Sequence, residues 1–152
     1  MKSAKVVIIV VVLGFIVIQF IPSGIPGIKP EDDNNIVKSG LLSDPVTGLL
    51  RKSCFDCHTD QTELPWYSRL APVSWLLADH INEGKSHLNF SEWGGYSKRG
   101  KIGKLEDIKD ELESGGMPLK SYLLMHPDAK MKPEEVTSLL NWAEEASSKI
   151  LE

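Results

Sequence analysis

Hydrophobic positions along this chain follow two regimes. From residue 6 to 21 they are nearly continuous, "VVIIVVVLGFIVIQFI", interrupted only by Gly14 and Gln19. Beyond residue 45 they recur at helical spacing, and no convincing period-2 strand appears. "APVSWLLADHINEG" sets Val73, Leu76, Leu77 and Ile81 on one helical face, with Gly84 as a residue just past the helix end. "KLEDIKDELESGG" places Leu105, Ile108 and Leu112 in register and stops at Gly115. "PEEVTSLLNWAEEASSKIL" has Pro133 in its first turn beside Glu134 and Glu135, which suits a helix start. Its buried stripe is Val136, Leu139, Leu140, Ala143 and Ile150. A shorter helix is predicted over "GLLRKSCFDCH". The pattern is that of an all-α domain.

The continuous run has Lys2 and Lys5 ahead of it and Pro22, Pro26 and Pro30 behind it. As a helix it spans roughly 24 Å at about 1.5 Å per residue, a little short of a hydrocarbon core of about 30 Å. It slightly exceeds a secretory apolar region of about 7–15 residues, and no A-x-A-like cleavage site follows. The expectation is an uncleaved signal anchor, a transmembrane helix within residues 1–21, with a cleaved signal peptide as the alternative. The lysines place the N-terminus in the cytoplasm, so the rest faces outward. In a bacterium this means the inner membrane, with the domain in the periplasm. Residues 22–45 mix Pro, Gly and a short acidic run and read as a flexible linker. The domain proper is expected over 46–152.

Composition is ordinary for a globular chain of 152 residues, with 41% hydrophobic and 25% charged residues. Residues 31–152 carry 14 Lys/Arg against 21 Asp/Glu, a formal charge of −7. An acidic domain argues against nucleic acid as a partner.

Both cysteines lie in "SCFDCHTDQ": Cys54 and Cys57, followed at once by His58. A thioredoxin-like dithiol belongs near a β-α-β pattern, which is missing. Structural zinc wants four Cys/His ligands, so Cys54, Cys57 and His58 would need a fourth such as His80 or His87, and adjacent Cys57 and His58 would strain to reach one ion. The spacing C-x-x-C-H signals covalent attachment of a c-type haem, one per chain. Cys54 and Cys57 are then the thioether residues and His58 the proximal iron ligand. Long loops rich in Gly, Pro and aromatics fit a small domain packed around a large body such as a porphyrin.

Candidates for the second axial position are Met117, Met125, Met131, His80, His87 and His126. Met117 lies in "SGGMPL", where glycines permit close backbone approach and Pro118 stiffens the exit. It is the favoured distal ligand. Met125 and Met131 read as packing residues and His80 as a structural histidine on a helix. His87 and His126 read as hydrogen-bonding loop residues. Trp66, Trp75, Trp93 and Trp142 read as core or haem-packing groups. Lys98, Arg99, Lys101 and Lys104 read as a solvated loop, or as partners for haem propionates or an acidic protein.

The run "CFDCHTDQTELPWYSRLAPVSWLLADHINEGKSHLNFSEW" and the later "MPLKSYLLMHPDAKMKPEEVTSLLNWA" resemble the haem-binding domain family of c-type cytochrome-like proteins, small exported bacterial proteins. The likeness covers about residues 40 to 148. It implies a cytochrome c-like all-α fold around covalent haem, with Cys54, Cys57 and His58 on the attachment motif and Met117 on the family's M-P position. A His/Met pair saturates the iron and points to single-electron transfer between redox partner proteins, a carrier more than a catalyst. The rival expectation is a haem enzyme, or a gas or peroxide sensor, with an open or displaceable sixth ligand and His80 as a distal base.

Overall fold

The structure, a computed structural model, describes residues 2–152. Among them are seven α-helices and no strand, so the all-α class follows the periodicity. The helices are α1 (Lys2–Ile18), α2 (Asp44–Ser53), α3 (Phe55–His58), α4 (Val73–His87), α5 (Lys98–Ser114), α6 (Lys120–Met125) and α7 (Pro133–Leu151). Short 3₁₀ turns at Ile36–Lys38, Trp66–Arg69 and Phe90–Gly95 lie in the connections.

The expected transmembrane helix is not present: no helix among the described residues is long and apolar enough to cross a membrane. The apolar run does not stay helical to its end. α1 stops at Ile18, and the Gln19 amide turns to the backbone of Ala71. It donates from Nε2 to the Ala71 carbonyl at 3.1 Å and accepts the Ala71 N–H at 3.0 Å. Phe20 and Ile21 are thereby left outside the helix. The whole of α1, 17 residues with Lys2 and Lys5 included, reaches only about 25 Å at about 1.5 Å each, short of about 30 Å of hydrocarbon.

The largest helix pairing joins α5 and α7. Leu105 and Leu112 of α5 meet Leu139, Trp142, Ala143 and Ala146 of α7 in one buried cluster. Local sequence sets the ends of both. Ser97 Oγ accepts the Gly100 N–H at 3.1 Å to start α5. Gly115, at φ 68°, ends it in the left-handed conformation, and the Gly116 N–H returns to the Glu111 carbonyl at 3.0 Å. Pro133 opens α7, and Glu135 accepts the Lys132 N–H at 2.8 Å while pairing with Lys52 of α2.

Two helices differ from their patterns. α4 buries Ser74, Ala78, Ile81 and Gly84, while Val73 and Leu76 are exposed. The buried face carries small residues because α3 and the Trp66–Arg69 turn press against it. Gly84 is inside this helix, which runs on to His87. The helix expected through "GLLRKSCFDCH" breaks at Cys54, whose φ of −128° leaves the helical range. Ser53 donates its hydroxyl to the Ala129 carbonyl at 2.9 Å, and α3 restarts in a new direction with Phe55 buried against Phe90 at 5.4 Å. Among the tryptophans, Trp93 and Trp142 are buried, but Trp66 is 75% exposed, against the expectation of a core position. Met131 packs on the core as expected, while Met125 is exposed.

The stretch 22–45, read as a flexible linker, reaches into the core. Ile36 is fully buried in the main cluster, and buried Asn35 bonds Gln61 at 2.9 Å. The Asn34 carbonyl accepts the Gly94 N–H at 2.8 Å. Replacing a fully buried Ile by Ala costs about 2–5 kcal/mol through lost transfer energy and the residual cavity. Ile36→Ala is therefore expected to lower the urea-unfolding free energy by about that amount. A change near zero would show that this stretch is a tether after all.

Candidate functional site

α2, α3 and α4, together with the α5–α6 connection, surround a cavity of about 500 Å³. That is within the roughly 300–1,000 Å³ of small-molecule and cofactor sites. Leu50, Leu88, Phe90, Ile108, Leu112 and Leu139 supply its apolar walls. Cys54, Cys57, His58 and Met117 all line it, so the four residues singled out in the sequence share one space. His80 and His87 line it too, both from α4. His87 is on the last helical turn, not in a loop. His126 lies elsewhere: its Nε2 meets the Tyr67 hydroxyl at 2.6 Å, as a hydrogen-bonding residue should.

The Cys54–His58 turn is placed by backbone. The Cys57 and His58 N–H groups both return to the Cys54 carbonyl, at 3.2 and 3.0 Å. Thr59 Oγ1 donates to the Phe55 carbonyl at 2.7 Å and closes the turn. α4 then crosses it at Gly84. A Cβ on Gly84 would stand 2.8 Å from the Cys57 carbonyl oxygen and 3.3 Å from Cys57 Cβ, so this crossing admits only glycine without a shift. One residue on, Lys85 reaches Asp60 at 2.6 Å, and Lys29 reaches the same carboxylate at 2.8 Å. Burial acts to raise the Asp60 carboxyl, but the hydrogen bonds from Lys29 and Lys85 outweigh it and hold it below the ordinary carboxylate value.

His58 Nδ1 lies 2.9 Å from the Leu88 carbonyl. A carbonyl only accepts, so Nδ1 carries the proton and Nε2 keeps its lone pair. Burial lowers the imidazole pKa, against the opposing hydrogen bonds to the Leu88 and Gly84 carbonyls, which also favours the neutral ring. A neutral imidazole with its other nitrogen tied to a carbonyl is the form in which histidine ligates metals. Burial, then the neighbouring Cys57, pushes the Cys54 thiol up to about 12. Burial and Asp56 push Cys57 up to about 11. Both are protonated thiols at neutral pH, and neither is in a disulfide.

Among the described residues no group of three or more His, Cys, Asp or Glu is placed to hold a metal ion, which removes the support for a zinc site. The absence of strands likewise leaves the dithiol reading without its β-α-β setting. An imidazole lone pair, two thiols and a thioether around one apolar cavity fit an iron porphyrin instead.

Met117 follows the end of α5. Gly115 is required there for its positive φ. The close approach at Gly116 is to the Glu111 carboxylate, a flexible group, not to another backbone. The basic group Lys98, Arg99, Lys101 and Lys104 is helical, in the first turns of α5, and none of the four lines the cavity. The charged lining is acidic: Asp56, Glu83, Asp107, Asp110 and Glu111.

Several residues of the site had no signal strong enough to single them out. Gly84 reads as the residue just past a helix end, although a glycine in a helical pattern can instead mark a close approach. Asp56 and Tyr122 were unmarked. In the structure the Tyr122 hydroxyl donates to Asp56 Oδ2 at 2.7 Å. Burial, then this bond and the Asp56 charge, raise the phenol pKa far above its ordinary value, so the hydroxyl stays a donor.

A family model described as a haem-binding domain matches residues 13–145. No curated protein matches the chain, and no solved structure matches it. The matched range takes in Ile36 as well as the Cys54–His58 turn, in keeping with their shared core.

Two mid-helix glycines offer a contrast. A Cβ at Gly103 of α5 meets nothing within 4 Å, whereas one at Gly84 meets Cys57 backbone. Gly103→Ala is expected to stabilise by up to about 1 kcal/mol through helix propensity. Gly84→Ala should destabilise by about 1–3 kcal/mol through overpacking and reduce the yield of haem-loaded protein. Denaturant unfolding and the haem-to-protein absorbance ratio check both signs.

Proposed function

Because the chain belongs to the haem-binding domain family and is a haem-binding protein, we propose that it holds one covalent haem c and carries single electrons. The observation that carries this is the convergence of Cys54, Cys57, His58 and Met117 on one apolar cavity. Cys54 and Cys57 are the thiols that would form the two thioethers. His58 would bind iron through Nε2, with the Leu88 carbonyl fixing the ring and raising its basicity. Met117 would take the remaining axial position from the α5–α6 connection. When bound, haem iron supplies a reversible one-electron couple, and a thioether ligand raises its potential. The chain's own part would be to offer His58 and Met117 to the iron and to keep water out with Leu50, Leu88, Phe90, Ile108 and Leu139. Redox partner proteins are the proposed partners.

Covalent haem c in bacteria is attached outside the cytoplasmic membrane. The proposed location is therefore the periplasm, and Lys2 and Lys5 ahead of the apolar run suit an export signal.

A second reading has one observation in its favour. His80 and His87 line the same cavity as Met117. A labile Met117 would leave an open sixth position with histidines nearby, as in a gas or peroxide sensor or a haem enzyme.

Two outcomes test these readings. Protein made with haem c maturation machinery should keep its haem through acid–acetone extraction, and its intact mass should include the haem. Extractable haem would refute covalent attachment. The reduced wild-type protein should be inert to CO at neutral pH, while Met117→Ala should bind it stoichiometrically and show a lower reduction potential. If wild type binds CO as readily as Met117→Ala, the open-site reading replaces electron transfer. If His80→Ala alone changes the spectrum, a His/His site replaces His/Met.

A further inference from the structure

The segment that carries Met117 is held unlike the rest of the molecule. α6, which follows Met117, contributes no buried residue. Leu124 and Met125 are 83% and 57% exposed. Hydrophobic burial therefore does little to fix residues 117–125, and the strong restraints are polar and aromatic. Tyr122 donates to Asp56 Oδ2 at 2.7 Å. Its ring stacks on His126 at 4.3 Å between centroids, with 12° between planes. His126 in turn meets the Tyr67 hydroxyl at 2.6 Å. Asp56 stands between the two cysteines, and its Oδ1 accepts the Glu63 N–H at 3.1 Å. The carboxylate is thus already fixed to the attachment turn and to the loop that follows it. Tyr122 reaches across from the opposite segment.

We propose that Tyr122 is a positioning residue: its hydrogen bond to Asp56 latches the 117–125 segment to the attachment turn, so that Met117 is presented to the cavity while that bond is made. The inference takes the assignment of Met117 as iron ligand, made above, as its premise. A bond to a carboxylate is among the stronger hydrogen bonds of a protein. Here it acts on a segment with no core burial to replace it. The α5–α7 core makes no use of it, so its loss should loosen one segment without unfolding the domain.

The test uses the full, haem-loaded chain. Tyr122→Phe keeps the ring stacked on His126 and removes only the hydroxyl. Amide hydrogen exchange over residues 117–126 is expected to rise about tenfold or more, with α5 and α7 unchanged. Over residues 117–126, Asp56→Ala should give the same local rise and the double variant should add nothing further, because the bond that both variants remove there is the same. The Glu63 N–H bond that Asp56→Ala also removes lies outside that stretch. Imidazole binding to the ferric protein should be about tenfold faster in Tyr122→Phe than in wild type, with no such difference in a Met117→Ala background. Unchanged exchange over 117–126, a uniform rise that includes α5 and α7, or additive effects of the two substitutions would overturn the latch. Unchanged imidazole rates in a protein that is slower than Met117→Ala would overturn it as well. The premise fails separately: wild type binding imidazole as fast as Met117→Ala removes Met117 as ligand, while hydrogen exchange still decides whether Tyr122 holds the segment.

Discussion

The close crossing of α4 over the Cys54–His58 turn is the constraint on which the rest of the site depends. With glycine at position 84, the helix approaches the Cys57 carbonyl to a distance no side chain tolerates. The approach has consequences along α4 in both directions. It explains why the inner face of the helix carries Ser74, Ala78 and Gly84 beside the one large residue Ile81, while Val73 and Leu76 are exposed. It also sets the helix end so that the Leu88 carbonyl stands within 2.9 Å of His58 Nδ1. Ring tautomer, ring orientation and the free lone pair at Nε2 all follow from that one acceptor. Lys85 then clamps the same crossing through Asp60, a pair with little exposure on either side, so its desolvation must be met by good geometry. Asp60 meets it with two lysines.

The two halves of the cavity are stabilised by different physics. The half around His58 is continuous with the hydrophobic core: Phe55 packs at a tilt against Phe90, and Phe90 against Trp93, all nearly fully buried. Each such side chain contributes about 1.5–3 kcal/mol by burial. The half around Met117 has a helix terminus, a glycine in the left-handed conformation and a handful of hydrogen bonds. Bonds of that kind contribute about 0.5–3 kcal/mol each, the upper end for charged partners. A site built in this way has one rigid wall and one adjustable wall. The Cys54–His58 side is tied into the core, whereas the Met117 side rests on polar contacts whose loss would cost the fold little. If Met117 ligates a bound haem iron, that difference bears on whether it holds its place or can be displaced, the point on which the two functional readings divide.

The sequence by itself determined the helical class, because spacings such as Leu105, Ile108 and Leu112 admit no strand. It determined helix ends where a single residue type dictates them, as Gly115 and Pro133 do. It also pointed to haem, because the C-x-x-C-H pattern is confined to five consecutive positions and needs no tertiary contact to be seen. Tertiary structure decided whatever depends on which neighbour arrives. Gly84 as a helix end or as a contact point looks the same in one dimension, and only the packed turn of α3 tells them apart. On the face α4 buries, periodicity places Ile81 correctly but not Val73 and Leu76, because it counts apolar residues, whereas a close crossing selects small ones. Ile36 joined the core from a stretch whose Pro and Gly content reads as linker, because burial of one isoleucine needs no periodic pattern around it. The apolar run of residues 6–21 passed for a membrane span by composition, but Gln19 found a backbone partner in Ala71 and the helix ended there. The Asp56–Tyr122 bond joins residues 66 apart in sequence, a separation that no local pattern encodes and only the folded chain brings together.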